Sequence, residues 1–317
     1  MPASLTTQPG KPLDPGQGVD LREAIRIWLR GLGQVMFQRH AGTGLLFLIG
    51  MAVGSPWLAA GAAVGGAIGP LVAWLLRRDR AAIADGLYGY NSALVGAAAG
   101  FFLPPNLMTL ALAVGGAALA VPVTGLLRRL PFPAYTTAFV IVAWGMLILA
   151  GDLGDRPPAT AAAEKVPRPG WAGLTEEVFA GLAEVMFSAN AISGVCFLAG
   201  IAWSGWRQAL VAVGGALLGT FLAIYHGDPA GQLALGIYGY NAALAAMAAY
   251  LAWPSLVPAA LAACVSVPLT EFFPSNFGVP ALTAPFIMAA WIVLLLLRLD
   301  RSLSPNKDHD KDHERCT

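Results

Sequence analysis

The segment Leu87-Tyr-Gly-Tyr90-Asn91-Ser-Ala-Leu94 returns as Ile237-Tyr-Gly-Tyr240-Asn241-Ala-Ala-Leu244, and Gly31-Leu-Gly-Gln34-Val-Met-Phe37 returns as Gly181-Leu-Ala-Glu184-Val-Met-Phe187. Both pairs are 150 positions apart. A third pair, Pro133-Ala-Tyr-Thr136 and Pro280-Ala-Leu-Thr283, follows at a spacing of 147, which Trp144 and Trp291 share. A chain that repeats itself in this order folds as two similar halves. Polar residues at matching depths in both halves point to a pathway at their interface.

The halves belong in a membrane. Of 317 residues, 57% are hydrophobic and 12% charged, against roughly 25% charged in an ordinary soluble domain. Apolar runs cover about 44–54, 57–76, 87–103, 107–127 and 134–150, then about 191–204, 208–225, 235–253, 256–269 and 281–297. Several are shorter than the ~20 residues of a straight spanning helix, so tilted or broken helices are expected. Glycines at Gly61, Gly65, Gly66 and at Gly214, Gly215, Gly219 let neighbouring backbones approach closely.

The loop charges fix the orientation of the spans. With Arg22, Arg26 and Arg30 inside, successive crossings put Ser55-Pro56 outside, Arg77-Arg78-Asp79-Arg80 inside, Pro104-Pro105 outside, Arg128-Arg129 inside and Asp152/Asp155 outside. The second half then starts outside, with Arg207 inside, Asp228 and Glu271 outside, and Arg298/Arg301 inside. Five spans per half therefore give copies of opposite orientation, with both termini cytoplasmic. The expected fold is an all-α integral membrane protein of two inverted repeats of five transmembrane segments each, with short broken or re-entrant helices around a central pore. Residues 1–20 form a polar N-terminal tail, 21–150 the first repeat, 151–178 a linker rich in Pro and charge, 179–300 the second repeat and 301–317 a disordered charged tail. The tail up to residue 20 lacks the apolar core of a signal peptide, so insertion is expected to rely on the spans themselves. Leu21, Ile25, Trp28, Leu29 and Leu32 share one helical face and the three arginines another, which suits a helix starting at the cytoplasmic interface.

Glu184 lies between Ala183 and Val185 in an apolar stretch, where a lipid-facing carboxyl costs on the order of 2–3 kcal/mol or more. It should face the protein interior. Its counterpart is Gln34, an amide of nearly the same shape, and what the two share is a carbonyl-type oxygen. That pair fits a hydrogen-bond acceptor for a neutral, donor-rich solute better than a cation site. Phe37 and Phe187 follow three residues later, a spacing that predicts a shared helical face with the acceptor. Tyr90 with Leu94, and Tyr240 with Leu244, are each one turn apart and complete a flattened slot. Thr136 and Thr283 follow prolines that favour broken helix starts, tolerated in a membrane only beside protein or a cavity. A pseudo-twofold axis would bring their hydroxyls together at mid-membrane, where a hydroxyl can both donate and accept.

Other chemistries are missing. There is no phosphate-binding Gly-x-x-x-x-Gly-Lys loop, no Ser/His/Asp arrangement and no metal-spaced cluster, so neither an enzyme nor a cofactor is expected. Cys196, Cys264 and Cys316 are scattered, and His40 and His226 read as lone residues near span ends. His309 and His313 sit in the charged tail. A net charge of +1 without a basic face argues against nucleic acid as a partner.

The paired Tyr-Gly-Tyr-Asn segments, the paired Pro-Ala-x-Thr segments and the Gln34/Glu184 pair, in the same order in both halves, resemble the urea transporters over about residues 25–300. The resemblance implies a channel-like facilitator of passive urea permeation in the cell (inner or plasma) membrane, a homotrimer in the lipid bilayer with one pore per protomer. It also implies that glutamine or glutamate and backbone carbonyls form a ladder of oxygens while aromatic and leucine side chains clamp the flat solute. By position, Gln34 and Glu184 become amide acceptors, Phe37, Phe187, Tyr90, Tyr240, Leu94 and Leu244 slot walls, and Thr136 and Thr283 central hydroxyls. Two departures stand out: tyrosine at Tyr90 and Tyr240 where phenylalanine is familiar, and Thr137-Ala138-Phe139 without the proline of Ala284-Pro285-Phe286. The alternative is a proton-coupled or ammonium/small-amide carrier with Glu184 as its titrating group. A non-transporting scaffold is a third reading.

Overall fold

The structure, a computed structural model, describes residues 20–154, 170–274 and 278–303. The N-terminal tail to residue 19, Asp155 with most of the expected linker, and the charged tail from 304 with His309, His313 and Cys316 lie outside the described residues. Those described form fourteen α-helices and no strand.

The helices run in one order, twice. In the first half they are α1 (Leu21–Gly33), α2 (Ala41–Gly54), α3 (Pro56–Leu75), α4 (Arg80–Ala84), α5 (Gly89–Phe102), α6 (Leu107–Leu127) and α7 (Thr137–Asp152). In the second they are α8 (Gly170–Glu184), α9 (Ala191–Ser204), α10 (Trp206–His226), α11 (Ala230–Ala234), α12 (Ile237–Ala252), α13 (Leu256–Glu271) and α14 (Ala284–Leu303). Ten apolar runs become fourteen helices because each half adds an opening helix (α1, α8) and a five-residue helix (α4, α11). Residues 170–178, read from the sequence as linker, are the first turns of α8. Of the apolar helices, α3, α6 and α10, with 20, 21 and 21 residues, are long enough to cross a membrane, whereas α2, α7, α9 and α13 are shorter.

Local chemistry sets the boundaries. Ser55 caps α3 through the Leu58 amide at 3.2 Å, with Pro56 at the first helical position, and Asn106 caps α6 through the Thr109 amide at 2.7 Å. His40 and Asn190 cap α2 and α9 in the same way. On α1, Glu23 pairs with Arg30 at 2.9 Å, and Arg30 also donates to the Ala84 carbonyl.

The halves meet along α2 and α9. Phe47 and Phe197 stack with centroids 4.4 Å apart, the Thr43 hydroxyl donates to the Gly200 carbonyl at 2.6 Å, and the Ser193 hydroxyl donates to the Gly50 carbonyl at 2.6 Å. Each half thus lends the other a hydroxyl at a glycine, where the missing side chain permits the approach. Gly86 (φ 79) and Gly236 (φ 74) serve a second close approach, against the backbones of Gly31 and Gly181, where a Cβ would overlap. That contact anchors the ends of α1 and α8 beside the starts of α5 and α12.

Candidate functional site

Helix α1 ends at Gly33 and persists only as a 3-10 turn over Gln34–Met36 before Phe37 turns left-handed (φ 62). Helix α8 ends at Glu184, and Phe187 is left-handed as well (φ 60). The amides of Phe37 and Phe187 bond back to the carbonyls of Gln34 and Glu184 at 3.0 and 2.9 Å. A tight turn therefore replaces the continuous helical face predicted from the three-residue spacing, and it takes each ring out of helical register. Phe37 meets Phe286 edge-on with centroids 6.2 Å apart, and Phe187 meets Phe139 in the same manner at 6.3 Å. Each ring thereby reaches the start of the last helix of the opposite half.

Those helices start from a second pair of irregular segments. Tyr135 (φ 44) and Leu282 (φ 49) are left-handed without being glycine, a conformation costing on the order of 1–3 kcal/mol that persists only where the surrounding structure over-determines it. The following residues, Thr136 and Thr283, are both buried, and their hydroxyls lie 2.7 Å apart. Helices α7 and α14 begin at the next residue in each case, so the missing proline in the first half does not move the helix start.

The two segments are held from three directions, in duplicate. Asn91 accepts from the Phe139 amide and Asn241 from the Phe286 amide, both at 3.1 Å, so a neighbouring helix caps each helix start. Trp144 donates its indole N–H to the Pro280 carbonyl at 2.8 Å, and Trp291 donates to the Pro133 carbonyl at 2.9 Å, each across the halves. The Tyr90 hydroxyl donates to the Tyr135 carbonyl at 2.7 Å, and the Tyr240 hydroxyl to the Leu282 carbonyl. Sequence reasoning gave Asn91 and Asn241 no role. The available signal was their recurrence beside the tyrosines, combined with the cost of burying an amide without partners.

A cavity of about 550 Å³ reaches Thr136 from one side, lined among others by Gln34, Phe37 and Tyr90, with Arg39, Arg128 and Arg298. Gln34 donates its amide N–H to the Asp85 carbonyl at 2.7 Å, which leaves its oxygen as the accepting end. Glu184, Phe187, Tyr240 and Thr283 occupy the corresponding places in the second half, joined to the first by the Thr136–Thr283 contact. Leu94 and Leu244 are fully enclosed in the packed core, and Leu94 does not line the cavity. The Thr137 hydroxyl is buried beside Thr136 without a hydrogen-bond partner.

His226 is not the lone residue the sequence implied. Its Nδ1 lies 2.6 Å from a Glu271 carboxylate oxygen, and with Asp228 the three offer ligand-type atoms within 4.8 Å of one another. They come from the ends of α10 and α13 and the loop between α10 and α11, which no local spacing motif registers. Cys196 and Cys264 are free thiols.

The family model for urea transporters matches residues 25–298. The chain belongs to the urea transporter family. Relatives include Urea transporter 1 of Ovis aries, 28% identical over 295 residues (84% of this chain, 76% of the relative), and Urea transporter 1 of Mus musculus, 29% identical over 238 residues (69% and 61%). The transporter is accordingly an all-helical membrane protein for facilitated urea passage and not an enzyme. The family match lends nothing to a proton-coupled or ammonium carrier.

Proposed function

We propose that urea crosses passively and dehydrated through a narrow slot in each protomer, formed where two inversely oriented repeats meet. Gln34 and Glu184 accept urea N–H groups at the two approaches, and the rings of Phe37, Phe187, Tyr90 and Tyr240 flank the flat solute. Leu94 and Leu244 back the slot from the core, and the Thr136–Thr283 hydroxyl pair forms its centre. The observation that carries this reading is the 2.7 Å contact between two threonines 147 residues apart, each at a duplicated backbone break. Urea is neutral and planar with four N–H donors and one carbonyl, so a dehydrated molecule needs chiefly acceptors from the wall. Modest affinity at successive sites allows passage without trapping.

The opposite orientation of the repeats draws support from the charges. Arg39, Arg128 and Arg298 share one cavity, and Arg298 donates to the Pro131 carbonyl at 2.8 Å. The acidic Asp228 and Glu271, which the span count assigns to the other face, cluster with each other. The reading has the 21–150 and 179–300 repeats assembled as a homotrimer in the cell's inner membrane, both termini in the cytoplasm.

The urea gradient alone drives the flux. In proteoliposomes holding the full chain, collapsing proton and sodium gradients leaves stopped-flow urea uptake unchanged. Uptake that stops with either gradient would overturn passive permeation.

A further inference from the structure

The carbonyls of the two breaks are all engaged. In the first half, Pro133 accepts from Trp291, Ala134 from the Thr137 amide, Tyr135 from the Tyr90 hydroxyl and Thr136 from the Val140 amide. In the second, Pro280 accepts from Trp144, Ala281 from the Ala284 amide, Leu282 from the Tyr240 hydroxyl and Thr283 from the Ile287 amide. Six of these partners are backbone amides or indoles that would be costly to remove from their bonds. The other two are phenolic hydroxyls at the positions where the chain departs from the phenylalanine of its resemblance. A carbonyl oxygen accepts twice. Tyr90 therefore takes one lone pair of Tyr135, while Tyr240 and the Asn241 amide, at 3.5 Å, engage both of Leu282.

We propose that the Tyr90 and Tyr240 hydroxyls are specificity-setting latches: each holds the left-handed residue before the paired threonine and occupies an acceptor position of its carbonyl that would otherwise be open to the solute. The centre of the passage then presents threonine hydroxyls and fewer open acceptor positions on the backbone. Tyr90, Tyr135 and Thr136 line one cavity, so the bonded pair belongs to the wall of the proposed route. The consequence is chemical. A centre poor in acceptors holds a solute with four N–H donors less tightly than an otherwise equal centre with bare carbonyls would, and the disadvantage is smaller for an amide with two.

The inference rests on the urea reading only for the identity of the solute. In the full-length Tyr90→Phe/Tyr240→Phe protein in liposomes, the half-saturation concentration for urea falls about fivefold, as expected for about one net hydrogen bond regained, and that for acetamide falls less. Equal losses of flux for both solutes with unchanged half-saturation would mean that the hydroxyls only support the fold, and the proposal would fail. Tyr90→Phe alone, whose second half keeps its latch, carries the same expectation at a smaller size if the double variant does not fold. A second readout does not depend on transport. Tyr135-Thr136 is the single Tyr-Thr sequence in the chain, so carbonyl-13C tyrosine with 15N threonine isolates that peptide in solid-state NMR. Its carbonyl resonance moves upfield in Tyr90→Phe when the hydroxyl bond is lost. An unmoved resonance sinks the latch even if urea passes, whereas a shifted resonance in a protein that passes no urea sinks the urea reading and leaves the latch standing.

Discussion

Replacing Glu184 by leucine cuts urea flux by about tenfold or more, whereas Glu184→Gln leaves it largely intact. In the proposed slot Gln34 fills this role in the first half as a neutral amide, its N–H directed to the Asp85 carbonyl and its oxygen left to accept. Leu235 stands 150 positions after Asp85, and if the repeat holds there, a glutamine at 184 directs its N–H to the Leu235 carbonyl as Gln34 does to Asp85. Leucine keeps the volume and the end of α8 but takes away the oxygen. A dehydrated urea N–H facing leucine is left unpaired, a cost of about 1–3 kcal/mol, and each 1.4 kcal/mol is a factor of ten in rate. Stopped-flow permeation of the two reconstituted variants, with thermal unfolding to verify that both are folded, separates the outcomes. Equal loss in glutamine and leucine variants would mean that charge, and not an accepting oxygen, is what position 184 supplies.

The sequence made the class of protein readable because membrane burial and repetition both leave local traces. Apolar runs and the order of the paired motifs led to an all-helical membrane protein and to the urea transporter family, and the juxtaposition of Thr136 and Thr283 follows once the halves are paired about an axis. What they do for urea belongs to the proposal. The features that periodicity cannot encode were hidden. A spacing of three reads as a helical face, yet the left-handed backbone at Phe37 and Phe187 ends the helix before that face is complete. The helices α4 and α11 have five residues each, too short for any 3.6-residue pattern to declare itself. The His226–Glu271 contact joins ends of helices 45 residues apart, and the reciprocal Trp144 and Trp291 bonds join opposite halves, so neither has a sequence-local signature. Tyrosine in place of phenylalanine was visible, but only the position of each hydroxyl against a left-handed carbonyl gives it meaning.

The asparagines set the largest effect expected on stability. Asn91 and Asn241 are buried, with 1% and 0% of their surface exposed, and each supplies the acceptor for the third amide of a helix that starts inside the protein. The first amides of a helix have no intrahelical acceptor, and no water is at hand at this depth to substitute. Leucine at either position leaves the Phe139 or Phe286 N–H unsatisfied, at about 1–3 kcal/mol each. The two caps hold segments that touch at Thr136 and Thr283, so the Asn91→Leu/Asn241→Leu protein should lose more than either single variant without strict additivity. Its thermal midpoint falls markedly in detergent, and urea flux falls with it because the threonines one turn away lose their mount. Thr124→Val is the control: it removes only the hydroxyl that accepts from the Asn91 amide at 3.0 Å and leaves the cap on Phe139 in place, so the loss is smaller. A double leucine variant that melts with the parent would mean that the helix starts find other acceptors, and the duplicated Tyr-Asn pair would then owe its recurrence to the tyrosine alone.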